Sequence, residues 1–495
     1  MSETPLISHR IRRLMRQAAE AMARGEFMVA RDLARRVTDG APEFVDGWMM
    51  LTEALAEMGE YQSGIDTIEH AITLHPGAVA LEVQKCKFLM GLARRDDCLA
   101  QVRALQQRQD LDPWALDMMG LFLSMLDQVS EAAVIYEQLS ELEPDNPENH
   151  VNLGMARMAL GDLEQARQHA ERALEIAPGF ARALALIANL RTATEEDNSL
   201  ESLQAALLSV RSLPERIALG YAHGKELDDL GRWDEAFCEL RDAGLAKRQI
   251  APYDQTRIDQ VVDAVMEQHD AEFCTGYADG CASDRPVFIF GMPRSGTTLV
   301  ERILGAHEDV VPGGELRDFM DSVNLAIGRS PGQLLDATGV VESAALDPAR
   351  LGERYLESVS ARVGHQKRFT DKLPLNFLYL GLIARALPHA GLVHVKRNPM
   401  DIIFSNFKIL FADLNAYSYT VRDTATYYVA YERQMQHWER VMPGRIHTIV
   451  YEELVSDTES NVRDLLSHCG LSWQDQCLQP HRGRAAVTTA SAVQV

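Results

Sequence analysis

Two periodicities divide the chain. Over the first half, apolar residues return every three or four positions, as in GDLEQARQHAERALEIAP at 161–178, which predicts amphipathic helices. The punctuation between these stripes is regular: Pro42, Pro76, Pro144 and Pro178 stand 34, 68 and 34 residues apart, one, two and one periods of a 34-residue unit, with Pro113 near the skipped place. Within the units the same offsets recur, Gly59 with Tyr61, Gly161 with Leu163 and Gly231 with Trp233, the last two followed by Ala166 and Ala236. A small residue lets two helices approach, a large one fills the groove between them, and proline stops the second helix because it has no N–H to continue the ladder.

This is the pattern of tetratricopeptide-like helix pairs, so residues 1–247 are expected to form an all-α solenoid. The polar run TATEEDNSL near 192–200 predicts a loop that interrupts it, and the unit around Gly224, Gly231 and Trp233 is expected to be the last. A connecting helix and linker are expected over 248–284, the helix starting near APYDQTRID.

From Arg285 the pattern changes. Short β-branched runs alternate with helical stretches: PVFIF then TTLVERILGAH, RFTDK then LNFLYLGLIARAL, LVHVKR then MDIIFSNFKIL, IHTIVYEEL then NVRDLLSHC. Such alternation predicts a parallel sheet covered on both faces, a three-layer α/β domain over 285–495. In that architecture ligands sit at the carboxyl ends of the strands.

Composition narrows the function. With 46% hydrophobic and 24% charged residues, the 495-residue chain is an ordinary globular protein of more than one domain. A net charge of -23 argues against nucleic acid or an anionic membrane as partner, since either needs clustered lysine and arginine. Seven scattered cysteines without a C-x-x-C pair fit neither a disulfide framework nor a zinc site and point to a reducing compartment. No stretch has the roughly 20 apolar residues that span a bilayer, and the first residues lack a signal-peptide core, so a cytoplasmic location is expected.

The chemistry concentrates in FIFGMPRSGTTLVERIL, 288–304. Gly291 and Gly296 keep the spacing of a phosphate-binding loop between strand and helix, yet Thr297 stands where a nucleotide-triphosphate loop has its lysine. The loop together with VKRNPMDIIFSNF about 100 residues later, with FTDKLPLN between them and VYEEL after them, resembles the two nucleotide motifs of the sulfotransferases. The whole of 285–495 resembles the tetratricopeptide-linked bacterial sulfotransferases, relatives of the tyrosylprotein sulfotransferases.

That resemblance implies a site. The donor would be 3′-phosphoadenosine 5′-phosphosulfate, which carries less terminal charge than a triphosphate and needs no magnesium bridge, so no metal is expected. Its 5′ anion would lie against Ser295, Gly296, Thr297 and Thr298, whose amides open a helix, with Arg294 reaching the sulfate oxygens. Arg397 and Ser405 would take the 3′-phosphate, Tyr451 would lie against adenine, and Ser491 would close over the nucleotide. Family members continue beyond that serine with a basic and aromatic stretch, whereas this chain stops at Val495, which implies a shorter lid or a longer natural tail. Glu315 would be the base for the acceptor hydroxyl and Lys372 the cation beside the leaving oxygen, with Arg294 also catalytic, Asn376 bracing the Lys372 loop and Arg317 near an acidic acceptor. His307, at a helix end, is expected to be a pairing group.

The acceptor stays open among tyrosine, sugar and small-molecule hydroxyls. The solenoid implies a protein or peptide partner, and association of two copies is open. A P-loop kinase or NTPase, or a scaffold with a vestigial nucleotide domain, are the alternatives.

Overall fold

A computed structural model describes residues 8–275, 280–411 and 413–479. By internal contacts the chain falls into two compact units, Met1–Asn149 and His150–Val495. The division at 247 and 285 is one of sequence type, which we propose as the domain assignment; the contacts divide the chain earlier.

The first unit is helical throughout its described residues, from His9–Ala23 to Val129–Leu142. Helices such as Val45–Glu57 and Tyr61–Leu74 are separated by turns of three residues, and one residue in each turn takes a left-handed conformation: Gly25, Gly59, Ala93 and Asp127, at φ between +55° and +72°. The series continues at Gly161, so the 34-residue period is written in the backbone as well as in the prolines. Close approach follows from small residues. A Cβ on Gly64 would sit 1.9 Å from the Phe88 ring, which is buried.

The second unit opens with further helix pairs. After Ala181–Leu190 the expected interruption appears as a non-helical stretch, 191–199, held by the buried Glu226, whose carboxylate accepts from Ser199 N–H (2.6 Å) and from the Arg191 guanidinium (3.1 Å). Sequence reading did not anticipate the helix that follows, Leu200–Ser209. The last pair before the sheet is Leu213–Asp229 with Trp233–Ile250. The connecting helix runs Gln255–Gln268, capped by the Asp254 side chain accepting from Thr256 N–H.

Five parallel strands then form one sheet in the order β2-β3-β1-β4-β5: β1 Pro286–Phe290, β2 Val310–Pro312, β3 Arg368–Asp371, β4 Gly391–Lys396 and β5 His447–Val450. Four were expected; β2, three residues ending in proline at the sheet edge, was not. The central strand β1 is buried along its whole length, as a continuous apolar run requires. Its alternate side chains feed two cores. Val287 and Ile289 pack with Val300, Val393, Ile449 and Leu465, while Phe288 and Phe290 pack with Phe319, Tyr355, Phe369 and Trp438. The result is a helix–sheet–helix sandwich whose strands all deliver their C-terminal ends to one edge.

Among the described residues no helix is long and apolar enough to cross a membrane. All seven cysteines are free thiols.

Candidate active site

Every strand hands over to a residue singled out in the sequence. β1 leads into 291–298, β2 into the Gly313–Glu315 turn, β3 to Lys372, β4 to Arg397 and β5 to Tyr451.

The loop after β1 is tightly built. Gly291 has φ +153° and Gly296 φ +106°, and a Cβ on either would strike a neighbour, the Val395 carbonyl at 2.4 Å or the Tyr451 ring at 2.5 Å. Arg294 is the unusual residue, a non-glycine at φ +70°. Left-handed backbone costs an L-residue about 1–2 kcal/mol, and such strain collects where a side chain must be aimed. Its Nε donates to Ser405 Oγ at 3.2 Å, across 111 residues of sequence. Arg397 donates to the Arg294 carbonyl at 3.3 Å, and its guanidinium lies 4.8 Å over the Tyr451 ring. Arg294, Arg397, Ser405 and Tyr451 thus form one cluster. Burial lowers the pKa of Arg294, and the positive charge of Arg397 lowers it further. Two guanidinium groups held together in a half-buried place are costly without compensating negative charge; the Asp401 carboxylate, 3.6 Å from Arg397 and itself 56% exposed, supplies part of it.

The remaining loop residues fit an anion as well. The buried Ser295 hydroxyl has no hydrogen-bond partner among the described residues, nor does Arg397 Nε. Thr297 and Thr298 open the helix Thr297–Gly305, where first-turn amides have no acceptor within the helix. One detail differs from expectation: the Ser295 amide closes the turn onto the Met292 carbonyl at 3.1 Å, so of this residue's two donors only the hydroxyl is left without a partner among the described residues. Ser491 lies outside the described residues.

A second cluster lies beside the first. Lys372, with 1% of its side chain exposed, donates to Glu315 Oε1 at 2.8 Å, while the Glu315 side chain is 43% exposed. One end of the pair is therefore locked and the other open to solvent. Asp371, just before Lys372, is fully buried and accepts from the Tyr355 hydroxyl (2.8 Å) and the Asn376 amide (2.9 Å). Burial pushes its carboxyl up to about 8. Asn376 thereby braces the end of β3. Arg317 is exposed at the start of the helix Asp318–Ala326. His307 is a pairing group: its Nε2 lies 3.0 Å from the Ser472 carbonyl and its Nδ1 accepts from Asp309 N–H.

Sequence reading missed Glu301 and Thr370. Thr370 Oγ1 donates to Glu301 Oε1 at 2.9 Å, beneath the turn that carries Glu315. No sequence spacing signals a contact between residues 69 positions apart.

A glycine-bounded loop on a parallel sheet, with a second strand-end arginine and a lysine–glutamate pair at the same edge, is an arrangement that can hold an anion and stabilise charge in group transfer. Comparison with known proteins agrees and is more specific. Residues 286–475 match the sulfotransferase family model, and residues 15–79 and 125–190 match tetratricopeptide repeat models. An uncharacterized protein of Aquifex aeolicus is 30% identical over 349 residues, covering 68% of this chain and 45% of that protein. A putative protein-tyrosine sulfotransferase of Caenorhabditis briggsae is 25% identical over 199 residues, 39% of this chain and 69% of its own. Protein-tyrosine sulfotransferase 1 of Danio rerio is 29% identical over 223 residues, 42% of this chain and 60% of its own. The matched segments thus cover roughly half to two thirds of these relatives. This chain thus joins segments that match tetratricopeptide repeat models to a C-terminal segment that matches the sulfotransferase family model.

Proposed function

We propose that this protein transfers a sulfuryl group from 3′-phosphoadenosine 5′-phosphosulfate to an acceptor hydroxyl, that of a tyrosine in a peptide or protein, and that the repeats recruit the acceptor or a partner. The observation that carries the proposal is the meeting of Arg294, Arg397 and Ser405 at 3.2–3.3 Å, two like charges and a hydroxyl drawn from two distant motifs into one place. The donor supplies an activated sulfuryl group when bound.

Each residue then has a task. The loop amides of Thr297 and Thr298, the Ser295 hydroxyl and the helix N-terminus would hold the 5′ anion. Arg397 and Ser405 would hold the 3′-phosphate, and Tyr451, against Gly296 and under the Arg397 guanidinium, would limit where the nucleoside lies. Arg294 would reach the sulfuryl oxygens from the loop, although its Nε here donates to Ser405 Oγ, among the residues assigned to the 3′-phosphate. Glu315 takes the acceptor's proton as the acceptor oxygen takes the sulfuryl group, and Lys372 orients Glu315 while placing a cation at the leaving side. The tyrosine acceptor is supported by the named relatives and by the extended binding surfaces that repeat arrays offer.

The test is a thermal-shift panel. Adenosine 3′,5′-bisphosphate should stabilise the protein without metal, and Arg397→Ala should remove most of that shift, a charged phosphate contact contributing about 1.5–3 kcal/mol. Equal stabilisation by ATP with magnesium would overturn the assignment.

A further inference from the structure

Glu301 is a carboxylate where an apolar residue would be expected. It lies in the helix Thr297–Gly305 between Val300 and Ile303, both buried, and is itself 8% exposed. Burying an ionisable group is costly unless partners compensate, so its partners indicate what it is for. Its Oε1 accepts from Gly314 N–H at 3.0 Å and from Thr370 Oγ1 at 2.9 Å. Thr370 Oγ1 in turn accepts from Gly313 N–H at 3.2 Å, an amide that it shares with its own backbone carbonyl at 3.1 Å. Both amides belong to the turn that ends in Glu315, and the Gly314 carbonyl accepts from Lys372 N–H at 2.9 Å. One buried oxygen therefore ties the first helix after the anion loop to both halves of the Glu315–Lys372 pair.

Gly314 is left-handed at φ +70°, and a Cβ on Gly313 would sit 2.2 Å from the Thr370 carbonyl, so the backbone is pressed against β3. Backbone bonds from Gly313 N–H to the Thr370 carbonyl and from Lys372 N–H to the Gly314 carbonyl hold either side of the turn, and Glu301 accepts from the Gly314 N–H between them. We propose that Glu301 is a positioning residue for the reaction: it fixes the Gly313–Gly314 turn and thereby holds the Glu315 carboxylate against Lys372. The role rests on the sulfuryl-transfer reading above. Burial raises the pKa of Glu301, while Lys372, Thr370 and the Gly314 amide act in the opposite sense, which places this carboxyl in the same electrostatic cluster as the pair it supports.

The test combines amide exchange, nucleotide affinity and turnover on the full chain. Glu301→Ala should speed exchange over 311–316 by about 10- to 100-fold, the loss of one or two buried hydrogen bonds, with the rest of the sheet unchanged. It should lower kcat by a similar factor while adenosine 3′,5′-bisphosphate binds within about twofold of wild type. Glu301→Gln, whose carbonyl accepts from the same two donors, should restore both protection and most of kcat. Thr370→Val, a milder change that keeps the fold, should loosen 311–316 and lower kcat by a few-fold. Unchanged protection of 311–316 in both Glu301→Ala and Thr370→Val overturns the proposal, as does lost protection with unchanged kcat. Should exchange respond as expected while wild-type protein transfers no sulfuryl group, the reaction assignment fails and the structural tie stands.

Discussion

At the scale of single residues, Glu315 and Lys372 differ in what each loses on substitution. Glu315→Gln keeps size and hydrogen bonding but not basicity, so turnover should fall by roughly 10²–10⁴-fold with bisphosphate affinity intact. Lys372→Met removes a cation with 1% exposure and leaves Glu315 without its partner, so it should weaken both turnover and, to a lesser degree, nucleotide binding. Calorimetry of bisphosphate binding beside labelled-sulfate transfer to tyrosine peptides reads the contrast, and a Gln variant with near-normal turnover removes Glu315 from the role of base. Asp371 makes a separate prediction about pH. Its carboxyl, pushed up to about 8 by burial, stays protonated in the fold where the unfolded chain has lost the proton. The stability it contributes is complete below the ordinary aspartate range and is lost as pH rises toward 8. Asp371→Asn still accepts from the Tyr355 hydroxyl, so its Tm relative to wild type should rise between pH 5 and pH 8.5. A difference that is the same at both pH values would show that the carboxyl does not titrate there.

At the scale of elements, the repeat turns carry the clearest prediction. Ala93 holds at φ +55° the place that Gly25, Gly59 and Gly161 hold in other turns. Ala93→Gly relieves that strain against a smaller loss of chain entropy on folding, so it should stabilise the protein by about 0.5–1 kcal/mol, read in urea. The helices here were legible because their stripes are long and their turns repeat. Strands β1, β3, β4 and β5 were legible as apolar runs, but β2 was not, because three residues at a sheet edge, ending in Pro312, have no periodicity to read. The proposed site divides the same way. The loop residues and Arg397 with Ser405 lie in contiguous motifs, so their positions could be read; that Arg294 meets Ser405, and that Glu301 meets Gly314 and Thr370, depends on the strand order. The Ser295 amide shows the limit within a motif, since its turn onto Met292 follows from loop geometry that residue types alone do not specify.

At the scale of the molecule, the last helix pair is part of the sheet domain's own packing. Phe407, at the end of the helix Pro399–Phe407 that carries Ser405, is buried among Ile217, Tyr221, Leu240 and Ala243 of that pair. Lys408 meets Asp228 at 2.7 Å and Arg248 meets Asp423 at 2.8 Å. Cutting the chain at a protease site inserted at the Ala251–Pro252 turn should therefore leave two pieces that elute together, and Phe407→Ala, a deletion costing about 3–5 kcal/mol, should let them separate. Wild-type pieces that part in plain buffer would show the contact to be weak.

Next to Phe407, Asn406 donates to the Pro293 carbonyl at 2.8 Å, one residue before Arg294. A repeat whose neighbours are only other repeats can be duplicated, lost or exchanged during evolution, because the array tolerates any unit with matching faces. The final pair has no such freedom. Its Leu240 and Tyr221 pack on a phenylalanine whose neighbour holds the loop after β1, so a hybrid made by grafting another array should keep this chain from Leu213 onward, with changes in repeat number made only before it.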